Sequence, residues 1–146
     1  NDLEDAFNKF FSRLRSIVED EKNKNRDIIV VTHYCPSPKC ISESYLDSDS
    51  NSSYVTDLEK FITSHPNIKM WCCGHVHHQA SFNVGQCLVV MNPRGYVGRC
   101  EDRDFDSRLF VDTNDWKVRK HKKTKKEQEE YEKRRDAYLS IARYFI

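Results

Sequence analysis

At 146 residues, 38% hydrophobic and 32% charged with a net charge of +1, the chain has the size and apolar content of one domain with one modest core. No run approaches the roughly 18 apolar residues of a membrane span, and nothing at the start resembles a charged and apolar secretory leader, so no membrane partner is expected and a cytoplasmic location is. Six cysteines in such a chain read as reduced thiols or metal ligands rather than as a disulfide framework.

Leu3, Ala6, Phe7, Phe10, Phe11, Leu14, Ile17 and Val18 recur at three- and four-residue spacing and predict a helix that lays one face on a sheet. Because the chain starts inside this helix, with no Met and no strand before it, a fragment is expected. "DIIVVTHY" is a short β-branched run, the pattern of a buried strand, with His33 at its C-terminal end. The Pro- and Ser-rich stretch from Cys35 to Ser53 predicts a surface loop, whose serines and Asp cap a helix from about Tyr54 to Ser64 with Val55, Leu58, Phe61 and Ile62 as its apolar stripe. "IKMWCC" predicts a second buried strand ending at Gly74. "ASFNVGQCLVVM" predicts two strands around an Asn-Val-Gly turn, broken by "NPRGY". "RLFVDT" predicts a last strand before a basic helical tail from about Lys122. Strands alternating with helices give an α/β or layered α+β body.

The stretch "WCCGHVHH", residues 71–78, carries the chemistry. A structural zinc site needs paired ligands at two- to four-residue spacing, whereas Cys72 and Cys73 are adjacent and point to opposite faces of a strand. A redox pair needs Cys-x-x-Cys, which is absent. His75 and His77 stand two apart just after a strand, with Gly74 expected to give the tight backbone path that presents them. His33 closes the other buried strand in the same way. Ligands of α/β sheets collect beyond the carboxyl ends of strands, so three imidazoles at two such ends are candidates to converge on divalent transition metals. Arg94, in the loop after a strand, is a candidate to hold a phosphate through its guanidinium fork. His65 and His121 read as solvent-facing, His78 as exposed or as a support to the ligands. Cys35, Cys40, Cys87 and Cys100 read as small core or loop residues.

"VVTHYCPSPKCI", "WCCGHVHH" and "MNPRGY", in that order, resemble the C-terminal half of calcineurin-like metallophosphoesterases, closest to their bacterial and phage branch. The resemblance covers roughly residues 28 to 112. It implies an αββα β-sandwich, of which residues 1–121 would be the C-terminal part and 122–146 a basic, charged helical extension, in a bacterial or phage-infected cell. It implies two divalent ions, Mn, Fe or Zn, with His33 and His75 on the second and His77 on the first, and a phosphate mono- or diester as substrate. Tyr34, where a second His is common, and Cys35 depart from the family pattern at positions not expected to be ligands. The family's Asp-x-His, Gly-Asp-x-x-Asp and Gly-Asn-His-Asp/Glu stretches occur nowhere in the sequence. Its catalytic residues are therefore expected in an N-terminal half, and this chain alone is expected to be inactive. The alternatives are a non-catalytic remnant or binding module, or half of a split enzyme completed in trans.

Residues 117–135 hold ten Lys or Arg against four Glu, leaving the remainder net acidic by five. Such a run can meet a nucleic-acid backbone. A solvated amphipathic helix is preferred, since Glu127, Glu129, Glu130 and Glu132 can pair along it with Lys133, Arg134 and Arg135, and Tyr138, Ile141, Ala142 and Phe145 can pack.

Overall fold

Helix α1 (Asp2–Glu19) begins with Asp2, Glu4 and Asp5, carboxylates that favour the positive end of its dipole. It stops where the Asn23 and Asn67 side-chain amides donate to the carbonyls of Ile17 and Val18, which have no further helical turn to bond. The computed structural model describes residues 2–96, 105–120, 124–126, 129–130 and 132–133. Strands β1 (Ile28–Val31) and β2 (Ile68–Cys73) follow, separated by a long loop and by helix α2 (Glu59–Ser64). Strands β3 (Ala80–Val84), β4 (Cys87–Met91), β5 (Leu109–Asp112) and β6 (Lys117–Lys120) complete the elements.

The main sheet has the order β1-β2-β4-β3, with β1, β2 and β4 parallel and β3 antiparallel to β4. A separate antiparallel hairpin is made by β5 and β6. The two faces of β2 differ by alternation. Trp71 and Cys73 face a core shared with Leu14, Val18, Phe61 and Ile62 of the helices, while Met70 and Cys72 face Leu109, Val111, Trp116 and Val118 of the hairpin. The molecule is thus a mixed α+β domain in three layers: helices, main sheet and hairpin. Among the described residues, no helix is long and apolar enough to cross a membrane.

Several elements differ from expectation for physical reasons. The second helix starts at Glu59 rather than near Tyr54, because Val55 bridges to Cys35 and the Thr56 and Leu58 N–H groups donate to the Cys35 and Pro36 carbonyls, which keeps this stretch out of a helix. Leu58, Phe61 and Ile62 are buried as the stripe requires. The β3–β4 turn consists of Gly85 and Gln86, since Val84 still pairs with Cys87, and Gly85 takes a φ of 59°. Strand β6 lies where the sequence pattern predicts no strand. It consumes the start of the basic run, and Asp112 and Asp115 pair with Arg119 at 3.7 and 2.7 Å while Asp115 also faces Lys117. Within the tail, residues 125–126, 129–130 and 132–133 are helical. His121, Tyr138, Ile141, Ala142, Phe145 and the boundary proposed between residues 121 and 122 lie outside the described residues, as does Cys100.

Candidate metal centre

The parallel pairing of β1 and β2 does the first assembly step. Val31 stands beside Cys72, the Thr32 N–H donates to the Cys72 carbonyl, and the Gly74 N–H donates to the His33 carbonyl at 3.1 Å. The ladder therefore runs one step past each strand, and the residues beyond it meet. His33 Nε2 lies 2.9 Å from His75 Nδ1, with the ring centroids 4.7 Å apart. The loop carrying His33 is fixed from below. The Trp71 indole N–H donates to Thr32 Oγ1 at 2.8 Å, and that hydroxyl donates to the Tyr34 carbonyl at 2.7 Å.

The backbone after β2 is tightly wound. The Val76 N–H donates to the Gly74 carbonyl at 2.7 Å and the His78 N–H to the Val76 carbonyl at 2.8 Å, two successive three-residue turns with His75 and His77 at their centres. His75 sits at a φ of 63°, a left-handed conformation that non-glycine residues seldom adopt. This corrects the role assigned to Gly74. Its φ is not positive and a Cβ there would meet nothing within 4 Å, so the strain falls on His75 itself. Tyr34 and Tyr54 flank the His75 ring, each with its centroid 4.8 Å away.

Desolvation lowers the His75 pKa, reinforced by the neighbouring charge of His33. The ring is thereby held neutral near pH 7, the form that offers a lone pair to a metal. Two imidazole nitrogens bound to one ion at about 2.0–2.1 Å would stand about 3 Å apart, so the 2.9 Å separation fits a pair of ligands. The proton now between the rings would have to move to the far nitrogen of one of them. His77 does not join this pair in a three-ligand set among the described residues, and packs edge-on against Tyr96 at 4.8 Å. No Asp or Glu joins it either, among the described residues. Arg94 is exposed in the loop after β4, at the same end of the sheet. Asn92 anchors that loop by accepting from Gln79 and the Asp106 N–H and donating to the Asp106 carbonyl.

Two side chains depart from their expected places. His65 is half-buried, not solvent-facing: its Nδ1 contacts the Phe61 carbonyl at 2.7 Å and its Nε2 approaches Glu19 at 3.3 Å, tying α2 to α1. Cys35, Cys40 and Cys73 are more than separate core residues. Their sulfurs all lie within 4.8 Å of one another, and among the described residues they form the one group of three or more potential ligands that converges. All three are free thiols. Hydrogen bonds from Cys40 and Cys73 hold the Cys35 pKa below the ordinary thiol value, while the bond to Cys35 raises Cys40 and Cys73. Cys72, facing the other layer, is raised by burial.

Compared with protein-family models, with curated proteins and with solved structures, the chain matches none.

Proposed function

We propose that the chain is the C-terminal part of a calcineurin-like metallophosphoesterase, in which His33, His75 and His77 are metal ligands of a centre that hydrolyses a phosphate ester. The observation that carries this reading is the 2.9 Å approach of His33 and His75 at adjacent parallel strand ends, with His77 on the next turn of the same loop. Two divalent ions, Mn, Fe or Zn, would supply Lewis acidity and a deprotonated water for in-line attack at phosphorus. The chain's own share is orientation. Trp71 and Thr32 fix the His33 loop, the paired turns aim His75 and His77, and the low His75 pKa keeps a lone pair free. Arg94 is proposed to steady a phosphate oxygen from the loop beyond β4. The three layers fit half of an αββα sandwich.

One observation favours completion by a second half over a non-catalytic remnant. Strand β1 is an edge of the sheet, and its Ile29 and Val31 are 46% and 73% exposed on the face that the hairpin covers only over β2 and β4. Phe10 and Ile17 of α1 are also exposed. Apolar and, among the described residues, unpaired and uncovered, this edge is where a continuing sheet would add strands.

The test assays the chain with Mn²⁺ or Zn²⁺ on p-nitrophenyl phosphate and bis(p-nitrophenyl) phosphate, alone and mixed with a polypeptide bearing the Asp-x-His, Gly-Asp-x-x-Asp and Gly-Asn-His stretches. Little turnover alone, restored turnover in the mixture, and at least about a hundredfold loss on H75A are expected. Full turnover by the chain alone, or none in a mixture shown to bind, would overturn the reading.

A further inference from the structure

Three separate segments each bring one sulfur to the same buried point. Cys35 follows β1, Cys40 ends the tight turn Pro38–Cys40, and Cys73 is the last residue of β2. Cys35 and Cys40 are 1% and 0% exposed and Cys73 is 9%. The turn that delivers Cys40 is itself held by a buried polar anchor. Ser37 is fully buried, accepts the Lys39 N–H through its hydroxyl oxygen, donates to Glu59 Oε1 at 2.5 Å, and accepts the Cys40 N–H through its carbonyl. Cys35 Sγ points its hydrogen at the Gly74 carbonyl, 3.2 Å away, and that carbonyl also keeps the Val76 N–H if the thiol hydrogen is lost.

We propose that Cys35, Cys40 and Cys73 bind one thiophilic d¹⁰ metal ion, Cu⁺ or Zn²⁺, which staples the end of β1 to the end of β2. Three sulfurs at about 2.3 Å from one ion stand about 4 Å apart, so sulfurs already within 4.8 Å need close by less than about 1 Å. Thiolate ligands select these soft and borderline ions over Mg²⁺, Ca²⁺ or Mn²⁺. Each sulfur that binds gives its proton to solvent. Three-coordination suits Cu⁺ as the site stands, and Zn²⁺ would recruit a fourth donor.

The position gives the ion a purpose. Cys35 is two residues after His33 and Cys73 two before His75, so a metal on the sulfurs would clamp the two segments that carry the imidazole pair. The site rests on the thiols alone and does not depend on the phosphoesterase reading.

The test measures metal uptake by the whole chain, purified anaerobically, against chromogenic competitors for Zn²⁺ and for Cu⁺, with Co²⁺ as a spectroscopic stand-in for zinc. One thiolate-bound ion per chain, a thiolate-to-cobalt charge-transfer band, and at least about a hundredfold weaker binding of that ion by a folded C40A variant are expected, with the band retained by C72A, whose thiol faces the other layer. The competitor that loses its ion more readily decides between zinc and copper. Failure of the wild-type chain to take up either ion overturns the site whatever the variants do. So does a thiol count two short of six in the unfolded anaerobic chain, which would show a disulfide instead.

Discussion

His33 Nε2 and His75 Nδ1 are 2.9 Å apart although 42 residues separate them in the chain. Neither ring reaches the other by side-chain length alone. The parallel ladder of β1 and β2 extends one step beyond each strand, and His75 then accepts a φ of 63° to turn its ring toward His33. Left-handed backbone at a non-glycine residue costs about 1–2 kcal/mol. H75G should therefore be at least about 1 kcal/mol more stable than H75V, since both lose the ring and only valine is strained there. Urea denaturation compares them, and equal midpoints would remove the strain from the account.

Gly74, just after β2, and Gly85, in the β3–β4 turn, should behave in opposite ways. G74A has space and an ordinary φ, so its stability should change by less than about 0.5 kcal/mol. G85A meets Thr63 Cγ2 at 3.0 Å from a φ of 59° and should lose about 1–2 kcal/mol. Thermal melts of the two variants decide the point, and a destabilised G74A would restore to Gly74 the role that the sequence pattern assigned it.

Trp71 is 1% exposed, and its indole N–H has Thr32 Oγ1 as its partner. T32V strands that donor in the core and should cost about 1–3 kcal/mol. In a double-mutant cycle with W71F the two losses should fall short of additivity by at least about 0.5 kcal/mol. Strict additivity would mean that the bond does not hold the His33 loop.

Much of this arrangement was legible in the residues. The β-branched run at 28–31, the apolar run at 68–73 and the hairpin at 80–91 follow from periodicity, and the opposite facing of Cys72 and Cys73 follows from alternation. His33 and His75 were placed at strand ends by the same reasoning. The thiol cluster was not legible, because Cys35, Cys40 and Cys73 share no local spacing and meet only once β1 and β2 pair in parallel. The burial of His65 is hidden from local spacing, because its neighbours Phe61 and Glu19 come from two different helices. Strand β6 hid within a basic run whose charges suggested a solvated helix. Its Arg119 is balanced by Asp112 and Asp115 of the preceding strand and turn.

Acid should loosen the loop that carries Cys40. The Ser37 hydroxyl, then Lys39, hold the Glu59 pKa below its ordinary value of 4.5. A depressed carboxylate stabilises the fold fully above the unfolded pKa and loses that contribution as pH falls through the lower folded value. Between about pH 5 and pH 3 the wild-type chain should lose stability more steeply than E59Q, which cannot ionise at that position. Parallel pH profiles from denaturant titrations would contradict it.

The proposed phosphoesterase centre requires His33 and His75 to act as one pair of metal ligands. Ring-resolved ¹H–¹⁵N NMR of the histidines during a Zn²⁺ titration at pH 7.5 tests it most directly. His33 Nε2 and His75 Nδ1 should shift together, with one shared affinity, and H33A should abolish the response of His75. Unshifted rings at several equivalents of Zn²⁺, or two rings that titrate independently, would contradict it.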